Sequence, residues 1–222
     1  MMPFCKRLAL LIFIAVVIYF SLYEHVPEQS APARFVKIDR FGELVDNWHG
    51  PWACIYDSKT GLVWENKSDD ESIHDALWTY SWQQQQYGVE NGGDCYFELD
   101  RCDTADLIRR ANNEASCGID QWRLPSAVEL RSIVNPSPKA GQASIYNDFF
   151  PHTKRGDYWS SEHERVLTGV YKHLGHGAVA IDFISGEQRV IPYRNAAFVR
   201  LVSRPDKKLT RKLEQALKAK QR

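Results

Sequence analysis

Four cysteines that follow an apolar amino-terminal run constrain the fold of this chain more than any other feature. The run, Leu8 to Phe20, contains no charge and is preceded by Lys6 and Arg7, an arrangement typical of a segment that directs a chain out of the cytosol. The cysteines that follow it are Cys54, Cys95, Cys102 and Cys117. An even number of cysteines in an exported chain predicts two disulfides within a folded head.

The pairing of these cysteines is open at the level of sequence, because four cysteines allow three pairings. Cys102 and Cys117 flank a predicted helix whose ends are far apart, which favours Cys95–Cys102 together with Cys54–Cys117. A zinc site is the alternative. It would need two closely spaced Cys-x2-4-Cys pairs, and the sequence lacks them.

The apolar run is either a membrane anchor or a cleaved signal peptide. Uncleaved, it forms a short spanning helix whose basic flank stays in the cytoplasm. The small-x-small site Ala31-Pro32-Ala33 lies about ten residues beyond Tyr23, which is far for a cleavage region, so we favour the anchor. The favoured location is therefore the bacterial inner membrane, single-pass, with the carboxy-terminal domain in the periplasm. A secreted or periplasmic protein after signal cleavage is the alternative.

Four segments are predicted along the chain. They are a signal anchor at 1–23, a polar linker at 24–47, a folded head at 48–204 and a basic tail at 205–222. From Leu8 to Pro205 the chain carries 19 basic and 26 acidic residues, whereas the tail has a net charge of plus five. The acidic body repels polyanions, so we expect no nucleic acid partner.

The tail has the pattern of an amphipathic basic helix. Leu209, Leu213 and Leu217 follow one another at intervals of four residues, with lysine and arginine between them. Such a helix is either solvated or docks on a membrane surface or a partner.

The order of predicted elements is that of an α+β domain with two helices and antiparallel strands. A hairpin is predicted at 54–64. The starts of the two helices are indicated by Asp103, a potential N-cap, and by Ser126 with Glu129, a potential capping box. Strand-like segments follow at 158–161, 178–184, 188–193 and 198–202. They predict an antiparallel meander whose last strand could meet the first ones.

Several sequence blocks resemble those of a known family and occur in the family's order. They are Thr60-Gly61-Leu62-Val63-Trp64-Glu65, Cys102-Asp103-Thr104, Cys117-Gly118, Trp122-Arg123-Leu124-Pro125-Ser126, Tyr158-Trp159-Ser160-Ser161 and Phe198-Val199-Arg200-Leu201-Val202. Over about 52–203 the chain resembles the Lcl C-terminal domain family, the C-terminal domain of bacterial collagen-like surface adhesins. The resemblance implies a C-type-lectin-like fold, distantly similar to formylglycine-generating enzymes, and binding in place of catalysis. The chain has no collagen-like repeat, so trimeric display does not carry over and the oligomeric state stays open.

The long loop from Asn135 to Asp157 and the segment from His163 to Gly177 are the predicted ligand-binding surface. Loops of more than ~12–15 residues are uncommon in a compact domain unless they are functional. The candidate ligand contacts are Tyr146, His152, Arg155, Asp157, His163 and His173.

Two metal sites can be considered in the same region. His173 and His176 have His-x-x-His spacing and could bind a metal together with His163 or His152. Oxygen atoms for calcium could come from Asn135, Asn147, Asp148 and Asp157. The Glu-Pro-Asn and Trp-Asn-Asp signatures of sugar-binding C-type lectins are missing, so we predict no cofactor.

The motifs of common enzymes are absent from the sequence. It contains no Gly-x-Ser-x-Gly, no glycine-rich phosphate loop and no His-Glu-x-x-His. We therefore expect a membrane-anchored, non-catalytic recognition module of the envelope that binds a glycan or an envelope protein. The alternatives are a structural accessory subunit of an envelope or pilus-type assembly, and a metal-dependent enzyme that uses His173 and His176.

Overall fold

The computed structural model describes residues 34–95 and 101–220, which have an α+β architecture with antiparallel sheets. The strands are β1 (Phe35–Ile38), β2 (Leu44–Val45), β3 (Cys54–Asp57), β4 (Leu62–Glu65), β5 (Gln83–Gln84), β6 (Tyr87–Gly88), β7 (Asp157–Trp159), β8 (Arg165–Val166), β9 (His176–Asp182), β10 (Gln188–Pro192) and β11 (Val202–Ser203). The helices are α1 (Thr104–Glu114), α2 (Ala127–Ser132) and α3 (Lys207–Lys220). Short 3-10 turns lie at Ser116–Gly118 and Gly169–Leu174.

A five-stranded sheet joins the two ends of the described chain. Its order is β11-β4-β3-β1-β2, and every pair is antiparallel. The predicted hairpin is β3 and β4, with Cys54 opposite Glu65. Val202 of β11 pairs with Trp64 of β4, which confirms that the last strand meets the first ones.

A second sheet has β9 at its centre, with β10 on one side and β7 and β8 on the other. Ala180 lies opposite Trp159 in this sheet, and both are fully buried. Gly177 has no room for a side chain, because a Cβ there would lie 2.2 Å from the Ile191 carbonyl oxygen. Small residues therefore let the centre of β9 pack closely against its neighbours. The segment 198–202 was predicted to belong to this meander. Phe198 forms an isolated parallel bridge with Tyr158 of β7, and the chain then leads into β11 of the five-stranded sheet.

The prediction of a linker at 24–47 is wrong for residues 34–47, because the folded head already includes Arg34. β1 pairs with β3 over four positions and is buried along its whole length. Arg34 donates two hydrogen bonds to the Asp57 carboxylate, at 2.7 and 2.6 Å. The ammonium of Lys37 lies 3.5 Å from the ring centre of Trp52. A strand buried on both faces shows no alternation of apolar and polar residues, so the pattern gave no strand signal.

Both predicted helices are present and begin at the predicted caps. Asp103 accepts a hydrogen bond from the Asp106 backbone N–H at the start of α1. At α2 the Ser126 hydroxyl accepts from the Glu129 N–H, and the Glu129 carboxylate accepts from the Ser126 N–H. Arg123 holds the same carboxylate by two hydrogen bonds of 2.8 and 2.7 Å. The capping box is thus tied to the strand-like segment that precedes it.

Replacing Ser126 by alanine is expected to lower the free energy of unfolding by about 1 kcal/mol, because the variant loses the side-chain acceptor of the capping box. Chemical denaturation of the full chain measures the change. Ser137→Ala is the matched control, since this exposed serine lies outside any helix, and it should change the free energy by less than about 0.5 kcal/mol. Equal effects of the two substitutions would contradict the assigned cap.

The tail forms α3, which packs against the head by its leucine face. Leu213 is fully buried and Leu217 nearly so, both as part of the core. Lys212 forms an ion pair of 2.7 Å with Glu43 and donates a hydrogen bond to the Gly42 carbonyl oxygen. The interpretation of this helix as solvated, or as docked on a membrane by its leucines, is therefore wrong, because the head already covers that face.

The structure contains two disulfides, Cys54–Cys117 and Cys95–Cys102, which are the pairs that the sequence analysis favoured. The longer bridge joins β3 to the 3-10 turn after α1.

No helix within residues 34–95 and 101–220 has the length and apolar composition needed to cross a membrane. The predicted anchor at 1–23 lies outside the described residues.

Candidate functional site

An open groove with a volume of about 930 Å³ lies on the surface of the described residues. One wall is the turn between β1 and β2, including Asp39 and Phe41, and another contains Trp52. Further lining residues are Asp69, Asp70, Glu114, Trp122, Pro151 and His152. The floor is the end of β4 and the residues that follow it, so strands of the five-stranded sheet position the groove.

The floor contains a buried cluster of charged side chains centred on Glu65. Glu65 and Lys67 are 2% and 3% exposed, and the Lys67 ammonium donates to Glu65 Oε1 at 3.0 Å. His74 Nδ1 lies 2.6 Å from the same oxygen, and the Leu201 backbone N–H donates to Oε2 at 2.8 Å. Burial alone would raise the pKa of Glu65, but Lys67, His74 and the Leu201 N–H lower it to about 2. Glu65 is therefore an ionised carboxylate held by three donors.

His74 connects this cluster to the end of α1. Its Nε2 lies 3.3 Å from the Glu114 carboxylate. Burial lowers the pKa of His74, but Glu114 and Glu65 outweigh burial and raise it to about 9. At neutral pH the imidazole is therefore protonated, and it stands between two carboxylates.

The free energy of unfolding is expected to decrease by about 3 kcal/mol between pH 6.5 and pH 9.5, owing to His74. Its pKa is higher in the folded chain than the ordinary value of 6.5. The stabilisation is therefore complete below pH 6.5 and is lost as the pH rises through about 9. Urea denaturation at both pH values measures the change. His74→Gln should remove most of the dependence, and His49→Gln, at an exposed histidine, should preserve it. The assignment would be contradicted if the free energy of unfolding of His74→Gln changed between the two pH values as much as that of the unsubstituted chain.

Arg200 lies below the cluster and is fully buried. Its guanidinium donates to the Glu65 carbonyl oxygen at 2.6 Å and to the Thr153 hydroxyl at 2.7 Å. Burial lowers the pKa of Arg200, and Tyr158 and Glu65 oppose that effect. Arg200 thus joins β4 to the loop that precedes β7 and supports the floor from beneath.

The Lcl C-terminal domain family matches residues 53–203, about two-thirds of the chain. The chain belongs to this family. Membership suggests a domain associated with the cell surface or envelope. No curated protein and no solved structure matches the chain, so the C-type-lectin-like architecture and the distant similarity to formylglycine-generating enzymes stay predictions.

The groove extends across the boundary of the matched Lcl C-terminal domain. Glu65, Lys67 and His74 lie within 53–203, whereas Asp39 and Phe41 precede it. The floor therefore belongs to the family domain, and one wall is contributed by the hairpin of β1 and β2 in front of it.

The six predicted ligand contacts are distributed over several parts of the Lcl C-terminal domain. His152 lines the groove, and Arg155 lines a second hollow of about 520 Å³. Tyr146 packs its ring against Phe35 at 5.3 Å between centroids. His173 is exposed in the 3-10 turn that precedes β9.

The other two predicted contacts are His163 and Asp157. Their surroundings differ from those of the first four. The His163 ring lies between those of Trp82 and Tyr87, at 4.9 and 4.8 Å between centroids. Asp157 is in β7 opposite Asp182. Burial raises the pKa of Asp157, and Arg189 opposes that rise. Neither residue lines the groove, so the structure brings only His152 of the six to this site.

The proposed metal ligands are also separate from the groove floor. No group of three or more His, Cys, Asp or Glu residues that could hold a metal ion occurs in the described part of the chain. Of the four candidate calcium ligands, Asn147 and Asp148 line the second hollow.

Glu65, Lys67 and His74 were not predicted as site residues. The available signal was a glutamate at the end of an otherwise apolar strand, followed two residues later by a lysine. A buried acid–base pair needs compensation, so this placement could have indicated a polar cluster beneath a surface cavity.

Proposed function

We propose that this Lcl C-terminal domain is a non-catalytic recognition domain of the bacterial envelope, and that its groove binds a glycan or an envelope protein. The observation that carries the proposal is the groove of about 930 Å³ above the buried cluster of Glu65, Lys67 and His74. The volume falls within the ~300–1,000 Å³ of ligand sites in proteins. Titratable groups with perturbed pKa values cluster at functional sites, and the pKa values of Glu65 and His74 are both shifted.

The wall of the groove also has features of a binding surface. Phe41 is 76% exposed and Trp52 is half-buried, and both line the groove. Aromatic side chains that remain accessible beside a polar floor are common in recognition sites, because they combine apolar area with few rotatable bonds.

The proposal includes the location that the sequence predicts. A retained segment at 1–23 would hold the chain in the inner membrane, with the domain in the periplasm, and cleavage would release a secreted or periplasmic protein. The envelope ligand is the partner in both cases, with no role for nucleic acid.

Site-specific photo-crosslinking in intact cells tests the proposal. A photoreactive amino acid replaces Phe41 or Asp69 in the full chain, and the control places it at Lys59, an exposed residue outside the groove. We expect defined crosslinked products from positions 41 and 69 that are absent from position 59. The same products from all three positions, or none from 41 and 69, would contradict binding in the groove.

A structural accessory subunit of an envelope or pilus-type assembly is the second candidate function, and the outer side of α3 favours it. Lys207, Arg211 and Lys218 are exposed, and their spacing of four and seven residues places them along one side of the helix. This side is opposite the buried leucines. Replacing the three residues by glutamine should abolish a crosslinked protein neighbour if α3 is an assembly contact, and preserve all neighbours if the groove alone recognises partners.

A further inference from the structure

At the floor of the groove, the Lys67 ammonium has more hydrogen-bond donors than acceptors to receive them, whereas its charge is compensated. An ammonium group has three N–H donors, and that of Lys67 makes one hydrogen bond among the described residues, to Glu65. The charges of Lys67 and of the protonated His74 are together balanced by two carboxylates, Glu65 at 3.0 and 2.6 Å and Glu114 at 3.3 Å. A neutral oxygen atom can therefore satisfy the remaining donors, whereas an anionic group would add a charge that the cluster does not need.

The rim of the groove has a different property, because it carries three carboxylates, those of Asp39, Asp69 and Asp70, and one guanidinium, that of Arg40. Asp69 is exposed and accepts no hydrogen bond in the described part of the chain. Asp70 is also exposed, and its Oδ1 accepts hydrogen bonds from the Ser68 hydroxyl and the Ser72 backbone N–H. Carboxylates accept hydrogen bonds and donate none. A matching ligand must therefore bring several donors to the rim and acceptors to the floor.

The aromatic wall sets a third requirement. Phe41 and Trp52 line the groove beside the carboxylates, so the ligand needs an apolar face next to its polar edge. A sugar ring has such a face in its C–H groups, and its hydroxyls both donate and accept hydrogen bonds.

From these three features we infer that the groove binds a neutral saccharide. The inference rests on the proposed function and specifies its ligand. The sugar hydroxyls accept from Lys67 at the floor and donate to Asp69 and Asp70 at the rim. A peptide backbone offers one N–H donor per residue, fewer than the several hydroxyls of each sugar ring. A sulfated or phosphorylated glycan would place negative charge beside the rim carboxylates, and a basic peptide would place positive charge near Lys67.

The test measures binding of defined probes to the full chain, kept in a detergent without a sugar head group. The probes are three neutral tetrasaccharides (cellotetraose, maltotetraose and chitotetraose), a sulfated heparin tetrasaccharide and tetralysine. Calorimetry supplies the dissociation constants. We expect at least one neutral tetrasaccharide to bind more tightly than the heparin fragment and tetralysine.

Two substitutions assign that binding to the groove. Lys67→Met should weaken it roughly 10-fold or more, because a hydrogen bond from a charged donor is lost. Asp69→Asn tests the rim at an exposed position, where the substitution should not affect folding. It should weaken binding roughly threefold. Lys59→Met is the control and should change the dissociation constant by less than about twofold. Thermal unfolding of each variant verifies that it is folded.

Three outcomes would overturn the inference: binding only of the heparin fragment or tetralysine, unchanged saccharide binding in both groove variants, or no binding of any neutral probe. The proposed function is judged separately, since groove-specific photo-crosslinks to a protein in cells would support it even if no neutral saccharide binds.

Discussion

Removing the Cys54–Cys117 disulfide by a double substitution to alanine is expected to lower the free energy of unfolding by about 4 kcal/mol. The bridge closes a loop with a sequence separation of 63 residues, and the entropy that a crosslink removes from the unfolded chain increases with loop length. It also joins β3 to the turn after α1, so its loss separates a sheet from a helix end. Urea denaturation of the oxidised protein and of the variant measures the difference.

The Cys95–Cys102 bridge provides the matched comparison. Its sequence separation is 7 residues, so the double alanine variant should lose only about 2.5 kcal/mol. If the variant without Cys95–Cys102 loses as much free energy of unfolding as the variant without Cys54–Cys117, or more, the longer bridge does not act through loop closure.

Replacing Glu65 by glutamine is expected to lower the free energy of unfolding by about 3 to 5 kcal/mol. The substitution preserves size but removes the negative charge that faces Lys67 and His74, and an uncompensated buried charge is strongly destabilising. In the variant the pKa of His74 should also decrease toward its ordinary value, because Glu65 is one of the two carboxylates that raise it. Denaturation at pH 6.5 and histidine NMR titration measure the two effects.

Glu43→Gln is the control for this prediction. Glu43 forms an ion pair with Lys212, but its side chain is 69% exposed, and exposed pairs contribute about 0 to 1 kcal/mol. If Glu65→Gln lowers the free energy of unfolding as little as Glu43→Gln does, the buried cluster does not stabilise the fold.

The elements that were predicted correctly are those that local residues determine. Asp103 and Ser126 cap their helices through hydrogen bonds to residues three positions away, so the sequence nearby contains the whole signal. The turn between β3 and β4 is equally local. β1 escaped prediction because Lys37 lies within a strand that is buried on both sides, where the stacking on Trp52 compensates its charge.

The long loop was predicted correctly to lack regular structure, but its contribution to the core was not predicted. The segment 135–156 contains no strand or helix, as predicted, and part of it belongs to the core. Ile145 and Phe150 are fully buried, and Phe150 packs edge-on against Phe35 of β1 at 5.6 Å between centroids. Loop length indicated a functional segment, whereas the apolar residues within it indicated packing.

The groove could not be predicted because its residues come from distant parts of the sequence. Phe41, Lys67, Glu114 and His152 line one cavity, and only the pairing of the strands and the position of α1 bring them together. No local pattern contains that information. The sequence did identify His152, by its place in the long loop.

The proposed function requires a domain that folds outside the cytosol and presents its groove there. The most direct test is a non-reduced peptide map of the protein after its free thiols have been alkylated in intact cells. We predict peptides linked by Cys54–Cys117 and by Cys95–Cys102, with none of these four cysteines alkylated. Recovery of all four as alkylated thiols would contradict both the exported location and the recognition function that we derive from it.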